Sequence, residues 1–257
     1  AVALTFAAAR RVGESERFLR AGRYSCWLPT LFLGERLHGK TLGIIGAGRI
    51  GEAYARMMME GHKMDLLYYD LRTNEALERY AADYGKFLQA RGQRPVACRR
   101  VPDADELLRQ ADVVSIHTVL DDSTRHLINA ERLARMKPNA VLVNTSRGPV
   151  IDEAALVAHC RSHPEFRAGL DVFESEPQLA PGLAQLENVV IVPHIASATR
   201  WTREGMAVLA AANVAGLLAG KPVWNRADIM PFLGAAPPPA APSILNAKEL
   251  KIPLYAA

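Results

Sequence analysis

The sequence predicts an α/β fold, a doubly wound parallel sheet with helices on both faces. Three observations predict it. Short apolar runs recur without polar alternation, the pattern of parallel strands buried on both faces. Stretches of helical periodicity separate these runs, as βαβ units require. Three glycines, Gly46, Gly48 and Gly51, fall where the first strand-like run ends and a helical pattern begins.

In chain order, residues 1–22 read as a helix with an apolar face of Val2, Leu4, Phe6 and Val12. A stretch without either periodicity follows and holds Trp27, Leu28, Leu31, Phe32 and Leu33. Strands are predicted over 41–45, 64–69, 113–116, 140–144, 168–171 and 189–192. Helices are predicted over 48–59, 75–90, 103–110 and 153–161, and a long alanine-rich one over about 199–218. The segment LGAAPPPAAPS then has too little apolar bulk to form a core and reads as an extended or disordered tail. No internal repeat is present.

Composition narrows the function classes. With 257 residues and 49% hydrophobic content the chain can bury a sizeable core. The net charge is +4, and no Lys/Arg block is long enough to read as a nucleic-acid arm. The pairs Arg10-Arg11 and Arg99-Arg100 read as solvated helix faces. The three cysteines are widely spaced with no Cys-x-x-Cys, which argues for a reducing compartment and against a metal site. No apolar stretch reaches membrane length.

The glycines have a chemical reading. Gly46 permits the turn off the strand, Gly48 lets backbone approach a pyrophosphate, and Gly51 lets the helix pack on the strand. The helix start then offers free N–H groups to the phosphates. Nineteen positions past Gly51, at the end of the second predicted strand, stands Asp70. An acid at that spacing accepts from the adenosine ribose hydroxyls and repels a 2′-phosphate, which points to NAD (NADH) as cofactor and to a Rossmann-like dinucleotide-binding domain.

Ligands in such sheets bind beyond the carboxyl ends of the strands. There the sequence places His117 and Thr118, then Thr145, Ser146 and Arg147, then Asp171 with Glu174 and Glu176, then His194. An arginine, a glutamate and a histidine suit hydride transfer to a carbonyl. The arginine polarises the carbonyl and grips a substrate carboxylate, the histidine gives the proton, and the glutamate orients and charges the imidazole. Spacing alone leaves Glu174 in competition with Glu176, and His117 and His126 in competition with His194.

The segments GKTLGIIGAGRIG, VNTSRGPVIDEAAL, GLDVFESEP and VPHIASATRWTREGM, in that order, resemble the D-isomer-specific 2-hydroxyacid dehydrogenase family. AYARMMMEGHKMDLLYYDL and RAGRYSCWLPTLFLG resemble its plant-type hydroxypyruvate reductase branch. The resemblance implies an NADH-dependent reduction of hydroxypyruvate to D-glycerate, with glyoxylate as a slower substrate. It assigns Arg147, Glu176 and His194 as catalytic residues. It assigns Gly46, Gly48, Arg49, Ile50, Gly51, Asp70, Thr118, Thr145 and Asp171 to the cofactor. An NAD-sensing binding protein and a formate dehydrogenase are the rival readings, and Glu176 speaks against the second, which has glutamine there.

The same resemblance implies the domain plan. Residues 1–26 are expected to lead out of a substrate lobe, 27–193 to form the dinucleotide-binding domain, 194–232 to carry the catalytic histidine and a helix returning to that lobe, and 233–257 to form the tail. The fold would thus include part of a second, substrate domain. Relatives begin with further residues that supply one wall of the active site. A homodimer is expected through the 27–33 segment, with a small 2-oxo acid as substrate and neither nucleic acid nor membrane as partner. The chain ends Leu-Tyr-Ala-Ala where the plant enzymes end Ser-Lys-Leu, so a peroxisomal address has no support in the sequence.

Overall fold

The computed structural model describes residues 1–256, which form two compact units, Ala1–Ala196 and a second that begins at Ser197. In the first unit the elements run α1 (Val2–Ala9), α2 (Val12–Arg20), β1 (Thr41–Ile45), α3 (Arg49–His62), β2 (Asp65–Tyr69), α4 (Glu75–Gln89), β3 (Cys98–Arg100) and α5 (Ala104–Gln110). They continue with β4 (Val113–Ile116), α6 (Ala130–Leu133), β5 (Val141–Asn144), α7 (Glu153–Ser162), β6 (Arg167–Leu170) and β7 (Val189–Ile191). The strands make one parallel sheet in the order β3-β2-β1-β4-β5-β6-β7. The order reverses between β1 and β4, which opens a crevice at their carboxyl ends.

The continuous apolar runs follow from burial on both faces. Every residue of β4, β5 and β6 is buried. Val141 and Val143 face a core with Leu4, Leu42, Ile44, Tyr54 and Met58, whereas Leu142 faces the opposite core with Ile45, Leu107, Ile116 and Phe166. The helices start on side-chain caps: Asn74, Asp103, Asn129 and Asp152 each accept from an N–H of the following first turn.

Three expectations are corrected. The single amino-terminal helix is two, because Arg11 turns left-handed at φ 55°. Its guanidinium is clamped by Glu14 at 2.6 and 2.7 Å and lies over the Phe32 ring. Arg99-Arg100 lies on the unforeseen edge strand β3, not on a helix. Only three residues long, β3 carries no readable alternation, and its arginines bond Glu106 and the Asp70 carbonyl. Short charged edges of this kind resist pairing with other chains.

The third correction is the tail. In the second unit α8 (Arg200–Leu218) is capped by Thr199. Val223 bridges both Ala241 and Leu254, and Ala240, Ala241 and Ala247 are buried. Alanines pack here because they lack bulk: a Cβ built on Gly216 of α8 would stand 2.9 Å from Ala241. Close backbone approach thus replaces large side chains. Among the described residues no helix is long and apolar enough to cross a membrane.

The glycine turn supplies a sharp test of the fold. A Cβ on Gly51 would stand 2.1 Å from the Gly46 carbonyl oxygen, whereas one on Gly48 meets no atom within 4 Å. Gly51→Ala is expected to cost about 3 kcal/mol or more, since backbone cannot step aside. That lowers the melting temperature by roughly 6–12 °C for a domain of this size. Gly48→Ala should melt like the parent protein. Calorimetry of both variants checks the contrast.

Candidate functional site

At the β1–β4 switch point the chain turns at Gly46, whose φ is +91°. Any side chain there would meet the His117–Thr118 backbone at 2.8 Å. Gly48 caps α3 with no side chain on the first-turn N–H groups, leaving them available to an anion. Asp70, at the end of β2, accepts from Ala47 N–H at 2.8 Å and from Arg72 N–H at 3.1 Å. Asn74 ties the same loop down by donating to the Ala47 carbonyl at 2.8 Å.

Gly46, Gly48, Asp70, His117 and Thr118 line a cleft of about 380 Å³. Ile50, Thr118, Thr145, Ser146 and Arg147 line a second of about 520 Å³ that shares His117 and Thr118 with the first. The open space over Gly48, the uncapped helix start and the acid at the strand end fit a dinucleotide: pyrophosphate at the glycines, ribose at Asp70.

Farther along the rim, β5 ends at Asn144, whose side chain accepts from Ser146 N–H and donates to the Arg147 carbonyl, both at 2.9 Å. Arg147 itself is exposed. The next residue, Gly148, lies so close to Phe173 that a Cβ would stand 1.9 Å from its carbonyl carbon. This contact seats the Arg147 segment against the loop after β6. In that loop Glu176 Oε1 accepts from Phe173 N–H at 3.0 Å, and Oε2 meets His194 Nδ1 at 3.0 Å. The hydrogen bond from His194 is the main cause that holds the Glu176 carboxyl below its ordinary range, and the charge of Arg147 adds to it. No described residue bonds His194 Nε2, so the pair presents that nitrogen outward.

His194 has φ +52°, a left-handed conformation unusual for a side chain of this size. Asp171 holds it there. Its carbonyl accepts from His194 N–H at 2.9 Å, and its buried carboxylate accepts from Ile195 N–H at 2.6 Å and Ala196 N–H at 2.8 Å. Such strained conformations persist where the surroundings over-determine them.

The structure therefore brings Arg147, Glu176 and His194 together, and Gly46, Gly48, Asp70, Thr118, Thr145 and Ile50 along adjoining clefts. Arg49 and Gly51 sit in the first turn of α3, Gly51 buried and Arg49 exposed. Asp171 lines neither cleft, and the bonds its side chain makes go to the His194 segment. The competing residues sort themselves. His126 Nε2 pairs with Glu174 Oε1 at 2.6 Å, away from His194. His117 bonds the Ser115 hydroxyl at 2.8 Å, and burial pushes it down to about 4, so it is neutral at pH 7 and a poor proton donor.

One residue that sequence reasoning passed over is Glu153. Almost wholly buried, it accepts from Glu174 N–H at 2.9 Å and Ala180 N–H at 3.1 Å, on either side of Glu176. It braces the loop that carries the catalytic candidate. An acid at a helix start reads as an ordinary first-turn residue, so only its inward rotamer reveals the role.

The D-isomer specific 2-hydroxyacid dehydrogenase NAD binding domain matches residues 2–196. The chain is 58% identical over 253 residues to a glycerate dehydrogenase of Cucumis sativus, covering 97% of this chain and 66% of that protein. It is 42% identical over 226 residues to a glyoxylate reductase of Thermococcus litoralis, covering 86% and 63%. The crystal structure of the TT0316 protein from Thermus thermophilus superposes with a TM-score of 0.72 at 40% identity, covering 85% of this chain and 63% of that one. The chain thus spans about two thirds, or slightly less, of the length of these relatives.

The depressed His117 has a consequence for stability. Its unfolded-state pKa is near 6.5 and its folded value about 4, so the unfolded chain binds the proton first. The contribution is complete above pH ~6.5 and is lost as pH falls toward 4, at about 1 kcal/mol per pH unit. Replacing His117 with Asn, which can keep the Ser115 bond, should flatten that part of the stability–pH curve. Urea denaturation at a series of pH values measures the slope.

Proposed function

We propose, because the chain belongs to the D-isomer specific 2-hydroxyacid dehydrogenase family, that the protein reduces hydroxypyruvate to D-glycerate with NADH, and glyoxylate to glycolate more slowly. The names of the two relatives, a glycerate dehydrogenase and a glyoxylate reductase, support this substrate class. The observation that carries the reading is the Glu176–His194 pair, with Nδ1 held at 3.0 Å, Nε2 without a described partner and the charge of Arg147 acting on Glu176.

Bound NADH supplies the hydride that the carbonyl carbon accepts. The protein's own residues do the rest. The Arg147 guanidinium holds the substrate carboxylate and draws charge onto the carbonyl oxygen. His194 bonds that oxygen through Nε2 and gives it the proton as the alkoxide forms. Glu176 compensates the imidazolium charge before transfer and fixes the ring while it is neutral. Asp171 and Glu153 act one step back, positioning the His194 and Glu176 segments. Gly46, Gly48, Arg49, Ile50, Gly51, Asp70, Thr118 and Thr145 form the cofactor site. The dinucleotide domain comprises residues 27–193, and 194–232 belong with the substrate lobe.

Reduction uses the imidazolium, so kcat/KM for hydroxypyruvate should fall as pH rises. Oxidation of D-glycerate uses neutral imidazole and should fall as pH drops. Glu176→Gln removes the compensating charge and should move both limbs toward acid. His194→Ala should cost roughly 10²–10⁴-fold in turnover while NADH affinity stays near that of the parent. Full pH–rate profiles of the full-length protein and both variants decide it. An unmoved Glu176→Gln profile would mean that the wrong acid has been assigned.

Asp70 should favour NADH over NADPH, because its charge faces the position of a 2′-phosphate. Asp70→Ser should narrow the ratio of the two kcat/KM values; equal use of both cofactors by the parent enzyme would refute the role.

We also propose a homodimer. Trp27, Leu28 and Leu33 are 75%, 51% and 64% exposed in one short segment, a patch that a lone soluble chain rarely leaves open. Sedimentation at micromolar concentration should show twice the chain mass, and Trp27→Glu should shift it toward monomer.

A further inference from the structure

The opposite edge of the sheet holds a second polar cavity. Arg167 begins β6, with its N–H on the Ala140 carbonyl at 3.0 Å. The residue is only 9% exposed, yet among the described residues no group accepts a hydrogen bond or forms an ion pair with its guanidinium. Other buried or half-buried cations of this unit are matched: Arg11 by Glu14, Lys40 by Glu35, Arg132 by Asp105, Lys137 by Asp112. Arg167 faces a cavity of about 440 Å³ lined also by Arg11, Gly34, Glu35 and Glu165. That volume greatly exceeds the ~30 Å³ share of one water.

The Arg167 guanidinium has no described partner, and its five donors form a fork that matches the oxygens of a carboxylate or phosphate. Around the cavity Arg11, Lys40 and Arg167 stand with Glu14, Glu35 and Glu165, and two of these carboxylates are already committed. Glu14 is committed to Arg11, and Glu35 is committed to Lys40 at 2.5 Å and to Asn139 at 3.0 Å. Glu165 is exposed at the mouth and pairs with nothing described. A second guanidinium, that of Arg11, lines the same cavity.

We propose that this cavity is a binding site for a small oxyanion, a phosphate or carboxylate group, held by Arg167 with support from Arg11. It is distinct from the dinucleotide cleft. Arg167 opens β6, whereas the cofactor rim lies at the other end of the strands, about 10 Å away along a strand of this length. The proposal is independent of the reading of the catalytic rim. A small organic acid or phosphate ester would place its charged group on Arg167 and its body in the remaining space. Glu165 at the mouth disfavours ligands with a second negative charge there.

The experiment is a titration of the chain with phosphate and, separately, with acetate, followed by thermal unfolding and calorimetry. Ionic strength is held constant with sodium chloride, and NAD is saturating so that the glycine turn cannot take the anion. A saturable rise in melting temperature at millimolar anion is expected in the parent. Arg167→Met should abolish it, and Arg11→Gln should weaken the apparent affinity several-fold. A response to phosphate alone identifies a phosphate site, and one to both anions a general oxyanion site. Should Arg167→Met fail to fold, the Arg167 Nε resonance of the parent gives the answer, since it must move saturably with the anion. No saturable stabilisation and no Nε shift, or an undiminished effect in a folded Arg167→Met, overturns the proposal and leaves a water-filled cavity.

Discussion

The carboxylate of Asp171 is the interaction on which the rim depends. It is buried at the end of β6 and spends its two oxygens on the N–H groups of Ile195 and Ala196, while its carbonyl takes that of His194. A left-handed histidine at the end of a parallel strand has no regular partner for these amides. A buried anion that takes two of them, with its own carbonyl taking the third, supplies the partners and fixes where the imidazole points.

Around that anchor the site is assembled by backbone contact more than by side-chain packing. Gly148 against Phe173 sets Arg147 beside the Glu176 loop, and Gly46 against His117–Thr118 shapes the neighbouring turn. Glu153 reaches across to brace the same loop from behind. Each contact tolerates almost no added volume, so the relative placement of three residues far apart in sequence is stiff. The proposed proton donor and carbonyl-binding cation need preorganisation of this kind to act without rearrangement.

The two edges of the sheet differ in charge logic. At the carboxyl edge, helix starts and strand-end side chains converge on open clefts. At the amino edge, ion pairs close most of the surface: Asp112 takes Thr41 N–H and Lys137, and Glu35 takes Lys40. Arg167 is the exception there, with no described partner for its guanidinium.

Much of this was legible in the sequence. Continuous apolar runs separated by helical periods determine a parallel sheet, because only strands covered on both faces lack polar alternation. The glycine spacing with Asp70 determines a dinucleotide turn, because backbone approach and helix packing each forbid a Cβ at fixed offsets. Arg147, Glu176 and His194 could be placed on strand ends, yet spacing left their partners open. The tertiary structure decided that His126 takes Glu174, that His117 is half-buried and neutral, and that Asp171 and Glu153 turn inward to hold loops. It also decided that β3 completes an edge and that a Pro/Ala segment folds back. These outcomes depend on which backbone amides lack a partner and how near two chains can approach. Such quantities arise between segments distant in sequence, and no local pattern of residues encodes them.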